Sequence, residues 1–209
     1  MFRWIAILLL ANQVAVSSIA TRAQADLIYR VDLDPFTSGI QSSLVAQPGQ
    51  LITADIVMEL SGTTTIDIYG VSLQFDDSEL AYRPSESVTI PLPGFEELDT
   101  LTQLGTTITG IRAATPITAI GTGPQAPQSF VIARLKFFSV TPAGNAADID
   151  LILLESDLDG SFDNFFQPLT PQFYGASIIS VPEPSLCGLS AMMALMLFKR
   201  RPRRRTICA

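Results

Sequence analysis

The clearest structural pattern in this 209-residue chain is Phe130-Val131-Ile132-Ala133-Arg134-Leu135-Lys136-Phe137-Phe138-Ser139-Val140. Its alternate apolar residues fall on one side of an extended chain and its basic residues on the other, namely Val131, Ala133, Leu135 and Phe137 against Arg134 and Lys136. A strand that is buried on one face has this alternation. We therefore predict a β-strand over 130–140 whose apolar side faces a core.

Similar stretches, bounded by Gly, Pro, Asp and Ser, recur on both sides of it at spacings that favour an all-β sandwich over βαβ units. We predict further strands at Leu27–Leu33, Leu51–Leu60, Ile66–Phe75, Leu80–Arg83, Thr106–Arg112, Ile149–Leu154 and Tyr174–Ser180. Eight or nine strands fit two stacked sheets, and no stretch of this middle part predicts a helix.

Two irregular features interrupt this pattern. The apolar phase changes within Ile66–Phe75, which predicts a β-bulge at Tyr69-Gly70 that keeps both halves facing the core. The segment from Pro84 to Gly105 is rich in Pro and acidic residues. We expect it to be a loop or flap that crosses one end of the sandwich.

The charge distribution excludes one class of partner. Residues 26–180 hold 19 acidic and five basic residues, a net charge of −14, whereas six further basic residues lie between Lys199 and Arg205. A domain with this much negative charge repels nucleic-acid phosphates. We therefore expect no binding of DNA or RNA.

The sequence lacks residues that several kinds of active site require. The chain has no histidine, which excludes the imidazole zinc ligand and every Ser-His or Cys-His nucleophile. Its two cysteines, Cys187 and Cys208, lie outside the middle part, which must therefore be stabilised by packing without a disulfide.

The N-terminus has the pattern of a Sec-type signal peptide. Arg3 precedes the apolar block Trp4–Ala11, and Ala23 and Ala25 occupy the two positions that signal peptidase recognises. The apolar block is much shorter than the roughly 20 residues that span a bilayer. We predict that residues 1–25 form the signal-peptide helix and that the mature chain begins at Asp26.

Three physically different elements follow one another at the C-terminus. Val181, Pro182, Glu183 and Pro184 predict an extended, accessible peptide, because proline cannot continue a strand or a helix. The uncharged run Leu186–Phe198 predicts a short transmembrane helix of roughly 20 Å, less than the ~30 Å of the hydrocarbon core. The basic cluster from Lys199 to Arg205 stays on the cytoplasmic side, which places the preceding domain outside.

This tail resembles the PEP-CTERM sorting signal of bacterial surface proteins, and the resemblance covers about the last 25 residues. It implies recognition of the motif by a membrane-embedded exosortase, cleavage near Val181–Pro184 and release to the cell surface or medium. The domain at 26–180 would thus be anchored transiently in the inner membrane through residues 181–209. The short apolar run, Pro202 and the last four residues depart from the usual pattern.

A second resemblance concerns the middle of the chain. Three segments, in this order along the chain, are similar to a cohesin-type module: Ala46-Gln47-Pro48-Gly49-Gln50, the run from Gly70 to Leu80, and Ile132–Phe137. The resemblance implies a jelly-roll-like β-sandwich, with the Pro-Gly turn opening one strand and a core strand ending at Phe75. These matches lie in turns and core positions, and no ligand-contacting residue is carried over from the family.

One acidic cluster, Glu155 to Asn164, has the residue types of a cation site. Asp157, Asp159 and Asp163 could supply the oxygen ligands that Ca²⁺ requires. Phe166 stands where an EF-hand-like register needs a bidentate Glu, so the motif is not an EF-hand. Two interpretations stay open, a solvated Asp-Gly turn and a weak Ca²⁺ site, and no other cofactor is predicted.

Two functions are compatible with these features. The first is a non-catalytic binding or scaffold module of the cell envelope or exopolysaccharide matrix, with an extracellular protein or polysaccharide as its ligand. The second is a glycan-acting hydrolase that uses paired carboxylates such as Asp76 with Asp77 or Asp148 with Asp150. Adjacent strand residues point to opposite faces, and Asp148 and Asp150 are expected to lie on the exposed side of their strand, so the first function is favoured.

Overall fold

The computed structural model describes residues 27–61, 65–119, 123–124, 128–140, 149–156 and 160–180. The predicted signal peptide and C-terminal helix lie outside these described residues. Within them the helical segments are the short 3-10 turns Pro84–Glu86 and Ile117–Ala119, and neither is long and apolar enough to cross a membrane.

The described residues form an all-β sandwich, which confirms the predicted fold class. Their strands are β1 Leu27–Asp32, β2 Ser43–Ala46, β3 Leu51–Leu60, β4 Ile66–Phe75, β5 Leu80–Tyr82, β6 Val88–Thr89, β7 Glu96–Glu97, β8 Thr102–Leu104, β9 Thr107–Ala114, β10 Gln128–Ser139, β11 Leu151–Glu155, β12 Phe162–Asp163, β13 Gln172–Tyr174 and β14 Ser177–Ser180.

These strands make two main sheets. The first has the order β13-β1-β3-β10-β5, with β6 also paired to β10, and we call it the β3 sheet. The second has the order β11-β4-β9-β7, with β12 paired to β4 and β8 to β9, and we call it the β4 sheet. Strands β2 and β14 form a separate parallel pair. The buried side chains of both sheets belong to one hydrophobic core.

Seven of the eight predicted strands coincide with an observed strand to within two residues at each end. The eighth, Tyr174–Ser180, is split into β13 and β14, because the backbone turns at Gly175 and Ala176 to bond with Leu151. The other observed strands, from two to four residues long, were not predicted. Segments this short contain too few alternating positions for periodicity to reveal them.

The β3–β10 ladder confirms the alternation in 130–140 and corrects one residue. Ala133, Leu135 and Phe137 are fully buried opposite alternate residues of β3, as predicted. Val131 does not join them, because the register shifts between Val131 and Ala133 and turns Ile132 into the core instead. The bulge adds one residue to β10 and reverses the face of everything before it.

The predicted bulge at Tyr69-Gly70 is wrong, because β4 pairs with β9 in regular register from Ile68 to Val71 and Ile68 does not join the buried core. The ladder between β4 and β12 is irregular at Ile66 and Ile68, and the ladder between β4 and β9 shifts between Val71 and Leu73. In the second shift the additional residue belongs to β9, where Gly110 has φ +88°. Gly70 is required for a different reason: a Cβ there would lie 3.1 Å from Ser156, Gly160 and Arg112 atoms.

The segment from Pro84 to Gly105 does not cross an end of the sandwich as predicted. It runs from β10, to which β6 pairs, across to β9, to which β7 and β8 pair, and so closes one side between the two sheets. Leu92 and Phe95 are buried in the core, and the Phe95 ring packs 5.6 Å from that of Tyr69. This segment is therefore a structural strap.

The opposite side of the sandwich is closed by backbone hydrogen bonds. The Ala176 N–H donates to the Leu151 carbonyl at 3.0 Å, and the Leu151 N–H donates to the Ala176 carbonyl at 3.1 Å. Because β11 belongs to the β4 sheet and β13 to the β3 sheet, this bridge joins the two sheets. The edges that an open sheet would expose are covered on both sides.

Three tyrosines, Tyr29, Tyr69 and Tyr82, belong to this core, and the hydroxyl pKa is most strongly raised in the first two. The Tyr29 hydroxyl shares a 2.8 Å hydrogen bond with the Ser161 hydroxyl, and Tyr69 has a backbone hydrogen bond with Leu92 of the strap. Burial raises the pKa of Tyr29 and of Tyr69 well above the usual value, because the phenolate would lose its hydration.

These raised pKa values make the fold sensitive to alkali. The folded state holds both tyrosine protons above pH 10, whereas the unfolded chain releases them, so the free energy of unfolding falls as pH rises beyond about 10. Each tyrosine contributes about 1.4 kcal/mol per pH unit. Urea unfolding at pH 9 to 11 should show a shallower fall for Tyr29→Phe than for the parent. The exposed Tyr174→Phe is the control, and an equal slope in all three proteins would contradict this prediction.

Gly110 provides a test of the strap. A Cβ at Gly110 would lie 2.2 Å from the carbonyl oxygen of Thr100, whereas Gly105, at φ +63°, has nothing within 4 Å of its Cβ position. We expect Gly110→Ala to lower the free energy of unfolding by about 2–4 kcal/mol, from backbone strain and overpacking together. Gly105→Ala should cost about 1 kcal/mol from strain alone. Equal losses, measured by urea unfolding, would show that Thr100 does not pack against β9.

Candidate functional site

All six residues predicted for processing lie outside the described part of the chain. This is true of Ala23 and Ala25 of the signal-peptidase site and of Val181, Pro182, Glu183 and Pro184 of the sorting motif. Asp157 and Asp159 of the acidic cluster also lie outside it. The export and sorting hypotheses therefore stay predictions.

Asp163, the described member of the calcium hypothesis, stabilises its own loop. Its Oδ1 accepts the backbone N–H of Phe165 at 2.9 Å and that of Gln167 at 2.8 Å. Backbone bonds from Asp163 to Gln167 and from Phe166 to Asp163 close the same turn. The carboxylate thus holds the five-residue loop 163–167 in a fixed shape.

The carboxylates considered for glycan hydrolysis have similar structural roles. Asp76 Oδ1 accepts both the backbone N–H and the hydroxyl of Ser78 at the turn after β4. Asp150 is 2% exposed, and its Oδ2 accepts the backbone N–H of Ile178. We expected Asp150 on the exposed side of its strand, but the strand begins one residue later, at Leu151. Asp148 lies outside the described residues.

The same use of carboxylates extends over the described domain. Asp32 Oδ1 accepts the N–H groups of Asp34 and Gln41 and so holds the loop after β1. Within the described residues, no three acidic or thiol side chains come close enough together to hold a metal ion. These acids stabilise loops because an ionised carboxylate is a strong acceptor for backbone N–H groups.

Four of the five basic residues of the domain, Arg30, Arg83, Arg134 and Lys136, lie on or beside the outer face of the β3 sheet. Arg134 and Asp55 form a bidentate ion pair with both N–O distances at 2.7 Å, and this contact raises the pKa of Arg134. The Arg30 Nε donates to Glu59 at 2.9 Å, and its guanidinium lies 4.3 Å above the Tyr174 ring. Cross-strand charge pairs therefore cover this face.

The outer face of the β4 sheet carries exposed aliphatic side chains in its upper half, which is the half near the end of β4. The neighbouring strands β8, β9, β4 and β11 each place one residue in a row across this face, namely Leu104, Thr107, Gln74 and Ile152. With Leu154 they form what we call the upper face, on which Leu104 is 63% exposed, Ile152 41% and Leu154 38%. Ile152 and Leu154 are adjacent on β11, whereas Leu104 lies beyond Gln74 and Thr107 on β8. This face was not predicted from the sequence.

A second apolar area lies at the opposite, lower end of the same sheet. A cleft of about 290 Å³ is lined by Asp67, Ile68, Glu96, Leu98, Ala114, Thr115, Pro116, Ile117 and Phe166. Ile117 is 89% exposed, and the neighbouring Phe165 and Phe166 are 74% and 53% exposed at the tip of loop 163–167. We call this cleft with Phe165 the lower patch.

The two areas are separated by the middle of the sheet. There, Arg112 is almost buried and forms an ion pair with Asp99. Gly70 is covered by Ser156 and Gly160 from the other side. Neither area was predicted, although the Phe165-Phe166 pair directly after Asp163-Asn164 was a usable signal, since two aromatic residues in a short turn cannot both be buried.

No family model matches the chain, and no curated protein matches it. Solved structures of cohesin modules are similar in fold. The chain is 15% identical to a chain of the Coh-OlpC–Doc435 type I cohesin–dockerin complex from Clostridium thermocellum, with a TM-score of 0.50, and the match covers 75% of this chain and 97% of that one.

Two further cohesins are also similar. The seventh ScaB type I cohesin of Pseudobacteroides cellulosolvens is 15% identical, with a TM-score of 0.47 and coverage of 76% and 96%. A non-cellulosomal cohesin from Archaeoglobus fulgidus is 9% identical, with a TM-score of 0.47 and coverage of 79% and 98%. The likeness concerns the fold alone and supports the cohesin-like sandwich expected from the sequence.

The geometry of loop 163–167 predicts what Asp163 contributes. Asp163→Ala removes the acceptor of two backbone N–H groups and should lower the free energy of unfolding by about 1–2 kcal/mol, whereas Asp163→Asn keeps an acceptor and should cost less. Urea unfolding measures both changes, and equal losses would contradict the capping role.

The same variants test the calcium hypothesis. Because Asp163 Oδ1 already accepts two N–H groups, we expect millimolar CaCl₂ to leave the thermal midpoint of the parent unchanged. A rise in the midpoint of the parent that Asp163→Asn abolishes would restore the calcium site.

Proposed function

We propose that this chain is an exported surface or extracellular protein, sorted by a PEP-CTERM/exosortase system, whose β-sandwich is a non-catalytic binding or scaffold module. Signal peptidase and exosortase would process it, and the tail would hold it briefly in the inner membrane. The folded domain would then reach the cell surface, the envelope or the exopolysaccharide matrix.

The observation that carries the binding role is the upper face. Exposed apolar side chains that are gathered on one face of a sheet are a feature of interaction sites, and here Ile152 and Leu154 are adjacent on β11 while Leu104 lies on the same sheet at β8. The sheet that carries Leu104, Ile152 and Leu154 is joined to the β3 sheet on both sides of the sandwich. Side chains on a preorganised sheet bind with a smaller entropic cost than side chains on an unstructured segment.

The part played by the carboxylates supports a role without catalysis. Glycoside hydrolysis requires two carboxyls about 5–10 Å apart that face the same sugar bond. Asp76 accepts hydrogen bonds within its own turn, and Asp150 is buried against the N–H of Ile178. Both groups line a cleft of about 270 Å³ together with Asp77, but each carboxylate is already held there by a backbone N–H, that of Ser78 or that of Ile178.

A protein ligand is favoured over a polysaccharide. The upper face offers aliphatic side chains, whereas sugar rings bind mainly on exposed aromatic rings. The cohesin in the Clostridium thermocellum complex is bound to a dockerin, so its fold is compatible with protein recognition.

The place where the folded part ends supports the sorting proposal. Strand β14 remains paired with β2 as far as Ser180, directly before Val181 and Pro182. The predicted processing motif therefore follows directly in sequence after the last described strand.

Intact-mass analysis of the chain, expressed together with an exosortase, tests this proposal. We expect the membrane fraction to contain the chain from Asp26 to Ala209, and the surface and medium fractions to contain chains that begin at Asp26 and end near Pro184. Replacing Pro182, Glu183 and Pro184 by Ala should leave only the longer species, in the inner membrane.

Pro202→Ala is the matched control, because it changes a proline of the same tail outside the motif. It should be processed like the parent. Recovery of the parent only as Asp26–Ala209 in the inner membrane would overturn the sorting proposal.

A further inference from the structure

Loop 163–167 holds an aromatic residue in an unfavourable backbone conformation. Among the described non-glycine residues, Phe166 alone has a positive φ, 56°. A left-handed conformation costs a bulky L-residue roughly 1–2 kcal/mol and is rare outside functional positions. The hydrogen bonds of Asp163 to Phe165 and Gln167 enforce it.

This conformation does not serve to bury the ring. Phe166 stays 53% exposed, and Phe165 beside it is 74% exposed. A Gly or Asn at position 166 would relieve the strain, and a polar residue would remove the exposed apolar surface. The loop therefore holds Phe166 in an unfavourable backbone conformation, and this conformation places its aromatic ring in the wall of a cleft.

The cleft itself has a definite chemistry. Its floor and walls are mainly aliphatic and aromatic, with Ile68, Leu98 and Ile117 facing Phe166. Among the described residues that line it, the charged ones are Asp67 and Glu96, and none is basic. The complementary group is thus apolar with a positive charge beside it.

The charge of the surrounding domain selects against other occupants. At −14 over residues 26–180, the domain repels a second copy of itself as well as anionic polysaccharides and anionic lipid. Most of its basic residues lie on the β3 sheet, and Arg112, the one nearest the lower patch, is paired with Asp99.

The position of the patch gives a further reason. Strand β14 ends at Ser180 beside Ala46, at the end of the sandwich where β3 begins. The lower patch lies at the other end, where β4 begins and β9 ends. A chain anchored through its C-terminal tail would therefore present the lower patch away from the membrane.

We propose that the lower patch is a second docking site, which takes a protein segment that carries an apolar side chain next to Lys or Arg. The apolar side chain enters the cleft against Phe166 and Ile117, and the cation lies near Glu96. This site is separate from the upper face, and it would remain if the sorting proposal failed.

Fluorescence anisotropy with defined peptides tests the site on the purified full chain, held in phosphatidylcholine nanodiscs, with empty nanodiscs as the blank. The probe is a labelled peptide with a leucine–phenylalanine pair flanked by lysines. Two comparison peptides replace the lysines by glutamates or the central pair by serines. We expect binding of the first probe to be at least tenfold tighter than that of either comparison, and to weaken with added salt.

Phe166→Asn separates a binding role from a structural one. Because Asn tolerates positive φ, the variant should keep or raise the thermal midpoint while it weakens binding of the lysine probe at least tenfold. Glu96→Gln should weaken binding of the same probe about threefold. The control is Phe36→Asn, since Phe36 is 89% exposed in the loop after β1 and far from the cleft.

Several results would overturn the proposal. The lysine probe would fail to bind at millimolar concentration, the glutamate probe would bind as tightly as the lysine probe, or Phe166→Asn would bind the lysine probe as tightly as the parent does. Capture of dextran or alginate that Phe166→Asn abolishes, in place of peptide binding, would show a polysaccharide site and would also overturn it. A lower thermal midpoint for Phe166→Asn would indicate that the ring stabilises the fold.

Discussion

The rest of the sandwich depends on the antiparallel pairing of β3 with β10. This ladder runs from Leu51 opposite Phe138 to Leu60 opposite Gln128 and lies at the centre of the β3 sheet. Its inner face supplies a large part of the buried core, and its outer face is stabilised by the Asp55–Arg134 ion pair. Burial of apolar surface on this scale, about 25 cal/mol per Å², is the main force available to a domain without a disulfide.

Closure of the two sides converts this pair of sheets into a rigid frame. The strap of 84–105 joins the β3 and β4 sheets on one side, with Phe95 packed against Tyr69, and the bridge between Leu151 and Ala176 joins them on the other. Loops that are anchored to such a frame can present side chains at fixed positions. The frame thereby fixes the positions of the strands that carry both apolar areas of the β4 sheet.

The structure changes the interpretation of the many acidic residues. A net charge of −14 and several closely spaced acids suggested a cation site or a hydrolytic pair, yet Asp32, Asp76, Asp150 and Asp163 each accept a backbone N–H at a turn or loop. Spacing along the chain cannot distinguish these uses. Whether a carboxylate is held by a backbone amide depends on how distant segments fold around it.

Local pattern alone predicted the all-β class and the position of the long strands, because alternation over eight to twelve residues reflects which side of a strand is buried. The resemblance to cohesin-type modules implied the turns at Gly49 and after Phe75, and both are present. Only packing between distant residues decided that Val131 leaves the core, that the strap closes a side, and that Phe166 stands exposed beside Ile117. These features arise from contacts between residues tens of positions apart, which no local periodicity encodes.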